Sequence, residues 1–396
     1  MVRYFTAGES HGQALVGIVE GIPAGVEISL NYINHQLWRR QQGYGRGGRM
    51  RLETDKVEIL SGVRFGKTLG TPIALVVRNK DWQHWTDRMS VEGSGKGIEK
   101  ITLPRPGHAD YVGALKYEFD DIRNVIDRAS ARETAMRVAC CTIIRKFLEE
   151  IGISIGSHVL SIGSAEVTER KRIDALIGKY STTVSKLSDD ADKSEVRILD
   201  SRVEQKAIAS IKSCKKKGDT LGGIFEVLVS GVPIGLGSHV HYDRKLDGQL
   251  AQAIMSIQAV KGVEIGDGFE NARRFGSHVH DEMLLDKKGN VVRPTNHAGG
   301  MEGGISNGEL IVLRGAMKPI STLAKPLRTV DIQTRKQAAS RYERSDVCAV
   351  PACAVIAESV VAPVLANAFL EKFGGDSIKE IRKRYKGTSK NLQGLS

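Results

Sequence analysis

Gly21-Ile22-Pro23-Ala24-Gly25 follows an apolar, strand-like run at residues 14–22, and Gly231-Val232-Pro233-Ile234-Gly235 follows another at 224–230. In each, proline fixes φ while the flanking glycines permit left-handed turns. Strand, Gly-x-Pro-x-Gly turn, then a helix or short extension thus occurs in both halves of the chain. A duplicated, internally pseudo-symmetric architecture explains the echo. The chance likeness of two common turns explains it too.

Outward from these turns, hydrophobic periodicity predicts alternating strands and helices. Helices are expected at 31–42, 131–150, 203–216, 244–258 and 353–373, the last closed by Gly374 and Gly375. Ser130 and Glu133 have capping-box spacing at the start of the second helix. Strands are expected at 57–60, 73–77, 153–162, 224–230 and 309–314. Residues 93–97 read as a flexible loop, and a basic tail from about residue 382 is expected to fray. No linker separates independent domains, so residues 1–396 read as one.

Apolar residues make up 41% of the 396 and charged residues 26%, which is the composition of a globular chain rather than a disordered one. The net charge of +12 and pI near 9.4 favour anionic partners. Aromatics are only 5%, which speaks against stacking on single-stranded nucleic acid. The five cysteines, Cys140, Cys141, Cys214, Cys348 and Cys353, form no CxxC pair. They read as reduced cytosolic thiols, with neither a disulfide framework nor a metal site. The start of the chain lacks the apolar stretch of a signal peptide. The apolar tract 347–370 carries Pro351, Glu358 and Pro363, and is expected to be a buried core helix and not a membrane span.

Two glycine motifs suggest nucleotide binding and fail on context. Gly43 to Gly48 matches G-x-G-x-x-G, but a helix is expected before it and an extended segment after it, the reverse of a dinucleotide fold. Gly62 to Thr68 resembles a phosphate-binding loop one residue short, with Ser61 where the first glycine belongs, and reads as a turn between strands.

Six groupings can carry chemistry. Ala7-Gly8-Glu9-Ser10-His11-Gly12 puts a titratable imidazole and a hydroxyl on a loop. Arg39, Arg40, Arg46, Arg49 and Arg51 lie among glycines, which let backbone approach a ligand that the guanidinium forks bind. Pro104-Arg105-Pro106-Gly107-His108-Ala109-Asp110 holds an arginine and a histidine rigidly. Asp127-Arg128-Ala129-Ser130-Ala131-Arg132 sits where a helix start favours phosphate. The glycine-rich 296–306 and Lys318-Pro319-Ile320-Ser321-Thr322 together offer donors around a flat or phosphorylated ligand. Arg344-Ser345-Asp346 sets a carboxylate beside an arginine. His158, His239 and His278 share a repeated Gly-Ser-His-Val and are read as structural.

GESHG, RRQQGYGRGGRM, PRPGHADY, ARET, NHAGGMEGGISNG, KPIST and RSD, in this order, resemble the chorismate synthase family over most of the chain. The resemblance implies an α+β fold, a β-α-β sandwich with central helices between antiparallel sheets, internally pseudo-symmetric, assembled as a cytoplasmic homotetramer. It implies a carbon–oxygen lyase of the shikimate pathway of aromatic amino acid biosynthesis. The reaction would be an anti-1,4-elimination of phosphate and a C6 proton from 5-enolpyruvylshikimate 3-phosphate, giving chorismate with reduced FMN and no net redox change.

By the same resemblance, His11, His108 and Asp346 are catalytic: His11 protonates the departing phosphate, His108 protonates the reduced flavin, and Asp346 helps deprotonate flavin N5. Ser10, Arg40, Arg46, Arg49, Arg105, Arg132 and Arg344 would line the polyanionic substrate. FMN would meet Arg128, Ala129, Ser130, Gln258, Ala259, Gly303, Lys318, Pro319, Ile320, Ser321, Thr322 and Arg344. Some relatives reduce their own flavin with NADPH, for which Arg40 and Arg46 are the candidates; a separate flavin reductase is the alternative. The family usually reads Arg-Ser-Ser where this chain has Arg128-Ala129-Ser130, so a hydroxyl is missing at 129. No nucleic acid, membrane or metal partner is implied.

Overall fold

Leu15, Gly17 and Val19 point inward from one strand while Val16 and Ile18 point outward, the alternation that builds a sheet with one buried face. The computed structural model describes residues 1–47, 54–167, 175, 178–181, 184–343 and 345–392. A first sheet joins β1 (Arg3–Ala7), β2 (Ala14–Glu20), β3 (Val57–Ile59) and β4 (Ile73–Arg78) in the order β1-β2-β4-β3. A second joins β5 (Ser154–Ile162), β6 (Ala165–Glu166), β7 (Gly223–Ser230), β8 (Val260–Ile265) and β9 (Ile311–Met317) in the order β8-β9-β7-β5-β6. All neighbouring strands in both are antiparallel. The fold is α+β.

Among the described residues, the helices of seven residues or more are α1 (Leu30–Gln41), α2 (Asp110–Lys116), α3 (Arg123–Ala129), α4 (Thr134–Glu150), α5 (Val184–Ala191), α6 (Ser201–Lys216), α7 (Leu246–Met255), α8 (Val350–Phe373) and α9 (Ile378–Leu392). α4 packs on the first sheet, α8 on the second, and the two helices pack on each other. Gly17 makes the first approach possible: a Cβ there would meet Cys140 Sγ at 2.4 Å and Met136 Sδ at 2.6 Å.

α8 is apolar all round because it is buried all round. Pro351 sits in its first turn, where no amide partner is lost, and Gly374 ends it at φ +59°. It is long and apolar enough to cross a membrane, yet 83% of its most apolar stretch is buried inside the protein. At its middle, Glu358 is fully buried. It accepts two bonds from Arg39, at 2.7 and 2.9 Å, one from Arg145 at 2.6 Å and one from Arg197 at 3.2 Å. Ser157 and Ser188 hydroxyls donate at 2.6 and 2.9 Å. Burial pushes the Glu358 carboxyl up, but the arginines outweigh it and hold the group well below the usual carboxylate range.

The two Gly-x-Pro-x-Gly turns are built alike. Thr68 Oγ1 donates to Pro23 O (2.6 Å) and accepts from Val26 N (2.9 Å), while Gly25 N donates to Thr68 O (2.8 Å). Ser306 Oγ donates to Pro233 O (2.6 Å) and accepts from Leu236 N (2.8 Å), while Gly235 N donates to Ser306 O (2.8 Å). Thr68 closes the hairpin of Val63–Arg64 and Lys67–Thr68, so the short phosphate-loop lookalike is a turn between strands. Ser306 closes the matching hairpin of Met301–Glu302 and Ile305–Ser306.

Three expectations fail locally. The helix expected from 131 begins at Thr134, after a single 3-10 turn, Ala131–Glu133. Ser130 Oγ accepts from Arg132 N, and the Glu133 carboxylate turns away to Thr6 and Arg137, so no reciprocal capping box forms. The helix expected over 244–258 is shorter, because Lys245 precedes α7 and Ala259 takes φ +68° just beyond it. The tail is not frayed from 382: α9 runs on to Leu392.

Candidate active site

The β1–β2 loop, residues 8–13, needs glycine at its root. Gly8 has φ +102°, and a Cβ there would meet Ala14 O at 2.3 Å. The loop is then tied to α3. Ser10 Oγ donates to Asp127 Oδ1 at 2.5 Å, and His11 Nδ1 lies 2.5 Å from the same oxygen. Burial pushes the Asp127 carboxyl up, but His11, Ser10 and Arg123 outweigh it and hold it below its ordinary value. Trp85 stacks on the His11 ring at 3.9 Å between centroids.

Asn79, at the end of β4, ties this loop to a cationic cluster. Its amide donates to Glu9 O and Gly12 O and accepts from Arg132 Nε at 3.1 Å. Arg132 Nη1 pairs with Asp55 Oδ1 at 2.5 Å, and Arg40 Nη1 stands 3.6 Å from Asp55 Oδ2. Two buried guanidiniums therefore meet at one carboxylate. Burial, with Arg132 and Arg46 nearby, pushes Arg40 down to about 10 despite Asp55. Arg46 Nη1 pairs with Asp346 Oδ2 at 2.9 Å, and Gly47 N donates to Asp346 Oδ1 at 2.6 Å.

A second cluster sits at the N-terminus of α2. Arg105 Nε donates to Asp110 Oδ2 at 2.8 Å, and Asp110 Oδ1 also meets His108 Nδ1. Asp110 has no exposed surface. Burial pushes its carboxyl up, but His108 and Arg105 hold it well below the carboxylate range. Arg105 Nη1 donates to Thr322 Oγ1 at 3.0 Å, and Lys318 Nζ to Gly107 O at 3.0 Å. Burial, then Lys261, pushes Lys318 down. The clusters are linked by Glu343, 3.3 Å from Arg123 Nη2 and 3.9 Å from Arg105 Nη1. Arg123 in turn reaches Asp127 at 3.6 Å.

A third zone is a cleft of about 430 Å³ lined by Tyr4, Phe5, Thr6, Arg128, Glu133, Arg137, Ser256 and Gln258. Arg128 donates to Thr6 O and Gly8 O, and Gln258 Nε2 to Glu133 Oε2. Gln258 Oε1 is buried with no hydrogen-bond partner among the described residues. Ala259 O accepts from Lys318 N, which joins this zone to the second cluster. Ile320 O is held by Thr220 Oγ1, and Pro319 and Ser321 lie beside Gly222 and Gly107. Ala129 ends α3, its side chain against the apolar cluster of Ile101 and Ile126.

Some expected residues stand elsewhere. Arg49, Arg51 and Arg344 lie outside the described residues, as does Gly48, the end of the rejected glycine motif. Arg128 and Ser130 are not at the start of the long helix; they close α3 and cap the 3-10 turn after it. Within one chain the glycine-rich 296–306 precedes β9 and Lys318 follows it. Asn296 and His297 bond locally, to Leu310 O and Asp267. Gly303 sits on the hairpin at the start of α7, about 15 Å from its far end at 1.5 Å per residue. His158 is buried on Glu226, while His239 and His278 lie outside the three zones. Sequence reasoning missed Asp55, Asn79, Trp85, Arg123 and Glu343, and gave Asp110 and Asp127 no role. The two aspartates stand inside motifs already singled out, so a search for the hydrogen-bond partner each histidine needs would have found them.

A family model described as chorismate synthase matches residues 2–370. The chorismate synthase of Chlorobium phaeovibrioides is 58% identical over 386 residues, 97% of this chain and 96% of that one. That of Chloroherpeton thalassium is also 58% identical, covering 97% and 98%. A crystal structure of chorismate synthase superposes with a TM-score of 0.80 at 44% identity, covering 100% of this chain and 99% of that one.

Proposed function

The chain belongs to the chorismate synthase family, and from that premise we propose that the three linked zones form one pocket for substrate and flavin. The chain is a carbon–oxygen lyase of the shikimate pathway. It eliminates phosphate and a C6 proton from 5-enolpyruvylshikimate 3-phosphate to give chorismate, and its family works with a reduced flavin.

Arg40, Arg132, Arg46 and Arg105, with Ser10 and by resemblance Arg49 and Arg344, bind the phosphate and carboxylates. The observation that carries this is the pair of buried guanidiniums, Arg40 and Arg132, gathered at Asp55 and tied through Asn79 to the His11 loop. Because Asp127 holds Nδ1, His11 delivers its proton from Nε2 to the departing phosphate. Asp110 orients His108 in the same manner.

FMN, of the reduced flavins, fits the residues present. The orphaned Gln258 Oε1 offers an acceptor for a ring N–H, while Arg128 and Lys318 offer cations to a phosphate. Arg128, Ala129, Ser130, Gln258, Ala259, Lys318 to Thr322 and Arg344 would hold it. When bound, it supplies an electron to the substrate and recovers it. His108 holds a proton, and Asp346 an acceptor, for setting the flavin's protonation. Gly303 is assigned to the cofactor by resemblance alone.

The duplicated sandwich is proposed on the same footing. With the edge strand β6 set aside both sheets share one strand order, and the register agrees rung by rung: Ile18 faces Ala74 as Leu228 faces Val312, and Val16 faces Val76 as Glu226 faces Arg314. We take the chain as one domain, cytoplasmic and homotetrameric.

An anaerobic assay with photoreduced FMN and substrate, following chorismate absorbance, tests the pocket. Turnover is expected with FMN; full turnover with no flavin at all overturns the reading. Repeating it in air with NADPH decides between an inbuilt reductase, using Arg40 and Arg46, and a separate one.

A further inference from the structure

Trp85 is half-buried and lies shortly beyond Asn79, the side chain that ties the Glu9 and Gly12 carbonyls. A 3-10 turn, Lys80–His84, carries the chain from one to the other. Asn79 O accepts from Trp82 N at 3.3 Å, and Trp82 O from Trp85 N at 2.8 Å, so this turn and the His11 loop hang from one residue. Asp81 Oδ2 accepts from Trp85 Nε1 at 3.1 Å, which anchors the indole across its own turn. The indole then stacks on the His11 imidazole, 3.9 Å between centroids and 29° between planes. The Arg123 guanidinium lies over the same indole, 5.0 Å from its centroid. His11 and Arg123 also meet at Asp127, 2.5 and 3.6 Å from its two oxygens. His11, Asp127, Arg123 and Trp85 therefore close a ring, with a carboxylate on one side and an aromatic face on the other.

The carboxylate and the indole constrain His11 differently. Asp127 Oδ1 and, at 3.1 Å, Ser10 Oγ both meet the imidazole at Nδ1. Contacts at one atom place that atom but leave the tilt of the ring plane unset. Nε2, across the ring from them, moves when the plane tilts. A flat face stacked on the imidazole sets that plane. We propose that Trp85 is a positioning residue for the elimination: its indole holds the plane of the His11 ring so that Nε2 points at the departing phosphate. This rests on the proton-donor role given to His11 above. A proton is transferred only between atoms within hydrogen-bond reach, and a misplacement of about 1 Å can cost about 10²-fold in rate. Trp85 acts through His11 and not on the substrate.

The anaerobic assay with photoreduced FMN tests this on the full chain. Trp85→Leu and Trp85→Gln remove the aromatic face. Each is expected to lower kcat about tenfold or more, with KM for 5-enolpyruvylshikimate 3-phosphate changed less than about threefold. Trp85→Phe keeps a face and should recover most of the loss. In a His11→Ala background Trp85→Leu should add nothing further, because residues that act as a unit are not additive. A merely structural Trp85 would add its loss there in full. Should Trp85→Leu fail to fold, Trp85→Gln takes its place in both backgrounds. Wild-type kcat in both variants, no recovery in Trp85→Phe, or the same further loss without His11 overturns the proposal while leaving the donor role standing. His11→Ala at the wild-type rate sinks the donor role itself, and the positioning role with it.

Discussion

The two sheets share a frame and differ in what was built on it. Between β1 and β2 the chain spends only residues 8–13, and there it places Ser10 and His11. Between β5 and β7, the matching pair, it spends residues 163–222, which include β6, α5 and α6, and α5 covers the sheet. Charge follows the same division. On the second sheet His158, Glu226 and Arg314 form a closed buried set, with Glu226 3.0 Å from one and 2.7 Å from the other. Beside the first sheet Arg40 and Arg132 share one carboxylate. A charge set enclosed within a sheet holds a structure together; guanidiniums gathered beside a loop that carries Ser10 and His11 suit an anionic ligand.

That division makes predictions that can break it. The largest effect is expected at the first sheet's end and at α2: His11→Ala and His108→Ala should each lower turnover per folded molecule about 10²–10⁴-fold. Near wild-type rates in both would sink the role assignment. In the second sheet the sign of the result should reverse. Glu226→Ala strips the buried Arg314 and His158 of the carboxylate they share and should cost ~3–5 kcal/mol of stability, read by urea unfolding, while turnover per folded molecule changes little. A variant as stable as wild type but inactive would erase the contrast.

A subtler effect concerns pH. His108 and Arg105 hold Asp110 below its unfolded value, so its contribution is fully present above the unfolded carboxylate pKa, about 4, and is lost as pH falls through the folded value. Unfolding free energy should therefore decline below about pH 4, and Asp110→Asn should flatten that decline. An unchanged slope refutes the coupling. The smallest effect is expected at Ala129→Ser, which returns a hydroxyl to the end of α3. One added hydrogen bond corresponds to ~2–10-fold tighter flavin binding; a weaker complex would show that the apolar contact matters more.

How far these features could be read from the chain alone depends on range. The Gly-x-Pro-x-Gly turns announce themselves because glycine at positive φ and proline at fixed φ leave few conformations, and α8 because so long a run of mostly apolar residues has nowhere to go but inside. Ser130 misleads because a capping box is a local pattern, and Glu133 is claimed by Thr6, 127 residues away. Asp55, Asn79 and Glu343 stay hidden for the same reason. Nothing beside them in sequence hints at the arginines and carbonyls they bind across the fold. Gly303 and the loop 296–306 carry the right composition, but composition does not say which end of β9 they occupy.

Glu358 has a consequence for how the chain is made. Arg39, Arg145 and Arg197 are all synthesised before it, 319, 213 and 161 residues upstream, and until α8 emerges Asp192 and Glu149 are the carboxylates they meet. The half-made polypeptide thus gathers three interior cations before the carboxylate at their centre exists. The same carboxylate, midway along a helix greasy enough to tempt a bilayer, raises the toll of straying into lipid by ~2.5–3.5 kcal/mol and keeps the nascent segment on course for its own interior.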